Sequence, residues 1–309
     1  MKNPILSFMV LSLLLFSIVS NAQKLTVATY NIRYENTADV SNGNGWAQRC
    51  PVICKLIQFH DFDIVGTQEV LLGQLTGILS NLSEYSYVGV GRDDGKEKGE
   101  YAPIFYKTGK FKLLQSGHFW MSEVTDRPNK GWDAVLPRIC TWGKFQNKKS
   151  GFSFWFFNLH MDHIGVEARK QSAKLVLRKI TEMCGNEEVI LTGDFNVDQH
   201  SESYALINTS GKLKDSYDIS KVLYATNGTF NNFDPNLKTE SRIDHIFVTS
   251  NLHVMRYGVL TDTYRIKGDN AKEIKSANFP SEVSFHKDLA RVPSDHFPVE
   301  VVLEYSKKK

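Results

Sequence analysis

At five places along this chain a short apolar run of β-strand character stops at an acid, an amide or an imidazole. T-Y-N-I-R ends the first run with Asn31. G-T-Q-E-V ends the second with Glu69. N-L-H-M-D-H ends an aromatic run with His160, and L-T-G-D-F-N ends another with Asp194 and Asn196. P-S-D-H-F-P places Asp295 and His296 just before the last run. Polar residues at strand ends of a layered fold converge on one crevice, so the pattern asks for a sheet-based fold with a polar rim.

The runs alternate with helical spacing. K-L-T-V-A-T-Y, D-I-V-G-T-Q, Y-S-Y-V-G-V, A-P-I-F-Y, F-K-L-L-Q-S-G-H-F-W, R-I-C-T-W-G-K-F and F-S-F-W-F-F-N-L read as strands. So do E-V-I-L-T-G-D-F, R-I-D-H-I-F-V-T-S and the closing H-F-P-V-E-V-V-L-E-Y. Helices are expected over 46–59, 71–82 and 166–183, with a short one near Tyr204. In the third, Leu175, Leu177 and Ile180 should face inward. F-S-F-W-F-F is apolar on both faces and reads as a buried central strand. No Pro/Ser-rich linker divides the chain, and no G-x-G-x-x-G opens a helix. One mixed α/β domain over 23–309 follows.

Residues 1–22 stand apart. Lys2, the apolar stretch Ile5–Val19 and S-N-A before Gln23 form a secretory signal peptide, cut after Ala22. Export is therefore expected, periplasmic or extracellular, with no further membrane span and a monomeric mature chain. Across all 309 residues 37 basic face 34 acidic ones, one fewer once Lys2 is removed. That balance carries no footprint of a duplex-coating protein. Cys50, Cys54, Cys140 and Cys184 contain no C-x-x-C pair, which argues against a zinc site, and they read mostly as buried thiols.

The chemistry of the rim is specific. Glu69, Asp194 and Asp295 offer hard oxygens suited to Mg²⁺, Mn²⁺ or Ca²⁺. Phosphoryl transfer needs such a cation, together with neutral donors and imidazoles to hold phosphate oxygens and orient a water. Asn31, Asn196, His160 and His296 supply these, and Asp244 in R-I-D-H is a carboxylate partner for His296. Each piece has a plainer reading: G-D-F-N as a self-bonded turn, Glu69 as a helix-dipole acid, His160 as a core histidine.

Taken in order, Y-N-I-R, Q-E-V, G-D-F-N and a late S-D-H resemble the endonuclease/exonuclease/phosphatase superfamily, the DNase I-like group, from about Leu25 to Tyr305. The resemblance implies an α+β fold: a four-layer α/β/β/α sandwich of two facing mixed sheets flanked by helices. It implies a divalent-metal-dependent phosphoric ester hydrolase, phosphodiesterase or phosphatase, using in-line attack of water on phosphorus. Glu69 would be the principal metal ligand, aided by Asn31 and Asp295. Asp194 would position or deprotonate the water, Asn196 and His296 would contact the phosphate, and Asp244 would orient His296. His160 would be a phosphate ligand or general acid, paired with Glu100 of K-G-E-Y. Asn31, Glu100, Tyr101 and Arg138 would face the substrate, Tyr101 forming a wall with Trp120 and Trp132. Arg138 has an equal reading as a surface arginine. Asp162 reads as a cap for the following helix, with Arg169 in an ion pair, or else as part of a second metal site. The substrate class stays open among nucleic acid, phospholipid head group and sugar phosphate. The alternative function is a catalytically silent binding module; a zinc peptidase is excluded by the lack of H-E-x-x-H.

Overall fold

The computed structural model describes residues 23–224, 227–268, 273–274, 278 and 280–305; the leader lies outside them. The chain runs β1 (Gln23–Asn31), α1 (Thr37–Ser41), α2 (Trp46–Phe59), β2 (Ile64–Gln68), α3 (Leu72–Asn81), β3 (Tyr85–Val88) and β4 (Ile104–Lys107). Then come β5 (Phe111–Trp120), β6 (Ile139–Asn147), β7 (Ser153–His160), α4 (Val166–Cys184), β8 (Val189–Asp194), α5 (Glu202–Asn208), β9 (Lys214–Asp215), α6 (Ser216–Ile219) and β10 (Leu223–Tyr224). It finishes with β11 (Asp244–Val248), β12 (His253–Val259), β13 (Tyr264–Ile266), β14 (Glu273–Ile274), β15 (Phe285–His286), β16 (Leu289–Arg291) and β17 (Val299–Tyr305).

Two mixed sheets carry the fold, ordered β10-β12-β17-β1-β2-β4-β3 and β5-β6-β7-β8-β11-β9. The period of two along each strand sorts side chains into layers. Leu25 and Val27 of β1 join Phe154 and Phe156 of β7, Ile190 and Ile246 in the core between the sheets. Their neighbours face the other way. Ala28 and Tyr30 pack on Ile53, Ile57 and Leu75 of α2 and α3. Trp155, Phe157 and Leu159 pack on Leu175, Val176 and Ile180 of α4. The result is the expected four-layer α+β sandwich, and β7, apolar on both faces, sits between β6 and β8.

Three details differ from expectation. Val176 takes the inward position on α4 and Leu177 is half-buried. Strand β12 was not anticipated, because a bulge between Val254 and Arg256 breaks its alternation. Small ladders, β13 with β16 and β14 with β15, occupy the segment before the final strand. All four cysteines are buried free thiols. No helix among the described residues is long and apolar enough to cross a membrane.

Candidate active site

Strand register explains why the polar ends meet. Parallel pairing of β7 with β8 sets His160 beside Asp194. Antiparallel pairing of β8 with β11 sets Asp244 across from Asp194 on the other side. In the second sheet, parallel pairing of β1 with β2 sets Asn31 beside Gln68, and Glu69 is the next residue. β17 runs antiparallel to β1, with Val299 opposite Thr29, so Asp295 and His296 arrive at the same rim. Between the rims lies a cleft of about 890 Å³ lined by Glu69, Asp194, Asn196, His160, Asp295 and His296, among others.

The backbone is bent to present these groups. Arg33, Glu69, Asn196, Asn232 and Phe233 all line the cleft and all have positive φ, between 50° and 62°. Non-glycine residues enter that region at a cost of about 1–3 kcal/mol each, and such strain clusters at functional sites. Asn31 Nδ2 donates to Glu69 Oε1 and to Asp194 Oδ2, each at 3.0 Å, so one amide ties carboxylates from both sheets. Its carbonyl oxygen accepts from the Arg33 N–H at 3.0 Å. Asn31 therefore turns its NH₂ face to the acids and holds them, which departs from the expected oxygen ligand. Glu69 Oε2 accepts from the Tyr34 N–H at 3.1 Å. Asp194 Oδ1 accepts from the Asn196 N–H at 2.9 Å. The self-bonded turn and the functional reading of G-D-F-N thus hold together, one oxygen serving each.

The two histidines are driven apart electrostatically. His296 Nδ1 lies 2.9 Å from Asp244 Oδ2, and its Nε2 is 3.8 Å from Asp194 Oδ2. Burial alone would lower its pKa, but the charges of Asp244 and Asp194 and the hydrogen bond to Asp244 raise it well above the usual histidine value. His160 goes the other way. Burial, then the positive charges of Arg138 and Arg92, push it well below. One ring is held cationic and the other neutral within one cleft, a division that separates acid from neutral hydrogen-bonding roles. Burial, followed by the charge of Asp244, pushes the Asp194 carboxyl up to about 7 against the relief from His296.

Other expected residues are placed differently. Glu100 is forked onto Arg92, with contacts of 2.7 and 2.8 Å, and lies 3.8 Å from His160 Nδ1. The Glu100–His160 pair is thus an approach without a hydrogen bond, because Arg92 on the same loop is the better partner for a bidentate carboxylate. Tyr101 is corrected as a substrate contact: it is buried in the helix-side core, its hydroxyl donates to the Lys96 carbonyl, and it is not among the residues lining the cleft. Trp120 is buried with its indole on the Arg92 carbonyl, and Trp132 packs against the α4 side, so no aromatic wall forms. Arg138 is a buried cleft residue, not a surface one; Asp162 and His163 hold it at 3.3 and 2.9 Å. Asp162 accepts from the Ile164 and Gly165 N–H groups ahead of α4. Its ion pair is with Arg138, while Arg169 donates to its carbonyl.

The cleft also recruits residues not anticipated: Arg33, which pairs with Asp39 at 2.9 Å and approaches Asp295 at 3.5 Å, and Phe230, Asn232, Phe233 and Arg291. Arg33 is visible in Y-N-I-R as a charge two residues after a site amide. The others sit in the loosely patterned region and carried no periodic signal.

The pattern of the endonuclease/exonuclease/phosphatase family matches residues 28–296. The chain belongs to that family. It is a hydrolase of phosphoric ester bonds. A family member from Bacteroides thetaiotaomicron is 54% identical with a TM-score of 0.86, covering 93% of this chain and 100% of its own. The mannosyl-6-phosphatase of Bacteroides thetaiotaomicron is 56% identical with a TM-score of 0.84, covering 90% of this chain and 99% of its own. The Ccr4 3′-5′-exoribonuclease subunit of Aspergillus niger is 25% identical over 90% of this chain, which spans 51% of that protein's length.

Family enzymes generally depend on a divalent metal, and the cleft has a place for one. Asp295 is 6% exposed, and its carboxyl is raised by burial and by the charge of Glu69, against relief from His296. A buried carboxyl that faces a second carboxylate is relieved by a hard cation. Asp194, Asp244 and His296 also bring ligand atoms within 4.8 Å of one another. His296 already commits Nδ1 to Asp244 there, so Glu69 and Asp295 are the better-suited cradle.

Proposed function

We propose that this protein is an exported, divalent-metal-dependent phosphomonoesterase that removes phosphate from the 6-position of a mannosyl sugar. The observation that carries the substrate is the 56% identity, over 90% of the chain, to a mannosyl-6-phosphatase. A cleft walled by Arg33, Arg138 and Arg291 suits a terminal phosphate, and Phe230, Phe233 and Asn232 offer ring and hydroxyl contacts beside it. The leader at Ile5–Val19 supports export.

In this reading Asp194 takes a proton from the attacking water. Its place beside Asn31 and Asn196 fixes the direction of attack. The His296 imidazolium, kept charged by Asp244, meets the oxygens on which charge develops. The Asn196 side chain, anchored on the Met161 carbonyl at 3.0 Å, stands at the phosphate. Neutral His160 offers a hydrogen bond rather than a charge. A cation on Glu69 and Asp295 would neutralise phosphoryl charge and polarise the leaving oxygen. A silent binding module is disfavoured because each of the five strand-end signals keeps its chemical type.

The test is an activity panel with Mg²⁺ or Mn²⁺ over mannose 6-phosphate, bis-p-nitrophenyl phosphate, single-stranded RNA and DNA, and inositol phosphates. Mannose 6-phosphate should show the highest kcat/KM, and chelation should abolish it. Faster cleavage of RNA would favour the activity named for the Ccr4 relatives and overturn the sugar-phosphate reading.

A further inference from the structure

Arg49, on the inward face of α2, is completely buried. Among the described residues its guanidinium makes no hydrogen bond to a carboxylate. Nε donates to the Asn44 carbonyl at 2.7 Å. Nη1 donates to the carbonyls of Ile32 at 2.5 Å and Pro293 at 3.2 Å, and Nη2 donates to that of Arg33 at 3.0 Å. Its faces meet the rings of Trp46 and Phe233 at 5.4 and 5.6 Å. Burying a cation among neutral acceptors is costly, and a core helix needs no charge at that position.

The carbonyls it gathers come from three segments that build the cleft. Ile32 and Arg33 follow Asn31 at the end of β1, and the next N–H, from Tyr34, holds Glu69. Asn44 lies in the cleft-lining turn before α2. Pro293 stands two residues before Asp295 and three before His296. A neighbouring tie joins the same segments: Ser294 Oγ donates to the Asn31 carbonyl at 2.7 Å.

We infer that Arg49 is a positioning residue of the active site: one planar guanidinium, tied to Ile32, Arg33 and Pro293, sets the spacing between the Asn31–Glu69 side of the cleft and the Asp295–His296 side. The inference rests on the site reading above. Lysine keeps the charge but presents its donors from one point and cannot span the planar fork.

The experiment compares wild type with Arg49→Lys, Arg49→Met and a destabilised control, Ile78→Ala, whose side chain is buried in the helix-side core. The readouts are Tm, kcat and KM on p-nitrophenyl phosphate, and Mn²⁺ affinity by calorimetry without substrate. Misplacement on the ångström scale costs up to about 100-fold in rate. Arg49→Lys should therefore lower kcat about 10- to 100-fold with little change in KM, and weaken Mn²⁺ binding. Ile78→Ala should lose Tm yet keep both. If the Arg49 variants do not fold, Ser294→Ala probes the same joint and should show the same signature at smaller size. Unchanged kcat and Mn²⁺ affinity in a folded Arg49→Lys, or in Ser294→Ala where that variant stands in, would overturn the inference. Loss of the site reading itself looks different, since Asp194→Asn and Glu69→Gln would then leave activity intact.

Discussion

Asp194 divides its two carboxylate oxygens between structure and chemistry. One accepts the Asn196 N–H and fixes the left-handed bend; the other faces Asn31, His160 and His296. Asparagine at this position retains the shape and one acceptor but cannot take a proton from water. Asp194→Asn should therefore lower kcat by about 10²- to 10⁴-fold, the range for a positioned base, while KM and Tm stay close to wild type. Steady-state kinetics with a thermal melt checks both halves; a kcat within a few-fold of wild type would remove Asp194 from the base role. Residues of this kind were legible in the sequence because each terminates an apolar run. Glu100 was legible as a carboxylate near the site, but its partner was not. Arg92 reaches it through a loop whose closure leaves no periodic trace.

At the level of strands, the site depends on a second polar layer beneath it. Gln68 Nε2 donates to Asn158 Oδ1 at 2.7 Å and to Thr29 Oγ1 at 3.0 Å, and Thr192 Oγ1 donates to Asn158 Oδ1 at 3.1 Å. Asn158 Nδ2 donates to the Thr67 and Pro103 carbonyls. The bonds joining Asn158 to Gln68, Thr67 and Pro103 cross from one sheet to the other. Gly66 permits the approach, since a Cβ there would meet Asn158 Oδ1 and Thr192 Oγ1 at 2.4 Å. None of this is visible in N-L-H, where Asn158 reads as one more residue of an aromatic strand, because the partners lie 90 and 34 positions away. Asn158→Ala strands several buried donors and acceptors at about 1–3 kcal/mol each; a loss of at least about 3 kcal/mol in urea unfolding is expected. A loss under about 1 kcal/mol would mean water replaces the amide without cost.

β9 supplies a pH-dependent element. Asp215 is buried, accepts from Arg242 at 3.2 Å and from Tyr204 at 2.9 Å, and lies 3.5 Å from His245. Burial raises its pKa, but the close approach of the His245 ring and the charge of Arg242 outweigh that, leaving it lowered. A carboxyl lowered in the folded state contributes stability that is complete above its unfolded pKa of about 3.9 and fades as pH falls through the folded value. Asp215→Asn, which leaves Arg242 without its carboxylate, should cost about 3–5 kcal/mol at neutral pH. The gap to wild type should close as pH falls below about 4. A gap that widens on acidification would contradict the sign of this coupling.

Across the whole molecule the architecture was written in the alternation of strands and helices, and the four layers follow from which parity of each strand is apolar. What the alternation could not specify is the balance of charge where the two sheets meet. Glu69 follows β2 and Asp295 precedes β17, the two strands that flank β1, and burial together with the charge of Glu69 raises the Asp295 carboxyl. A cation placed between them would bind the folded chain and not the unfolded one. Stability should then rise with Mg²⁺ or Mn²⁺ by about 2.7 kcal/mol at a concentration one hundred times Kd, and Tm should rise with each further tenfold of metal. Glu69→Gln removes the charge that acts on Asp295 and one of the two carboxylate oxygens offered to the metal. The variant should therefore show little rise in Tm on adding metal. The divergence of the two melting series is the signature: wild type climbs with metal while the variant stays level. Parallel series, with the variant gaining as much from metal as wild type, would place the cation elsewhere in the cleft.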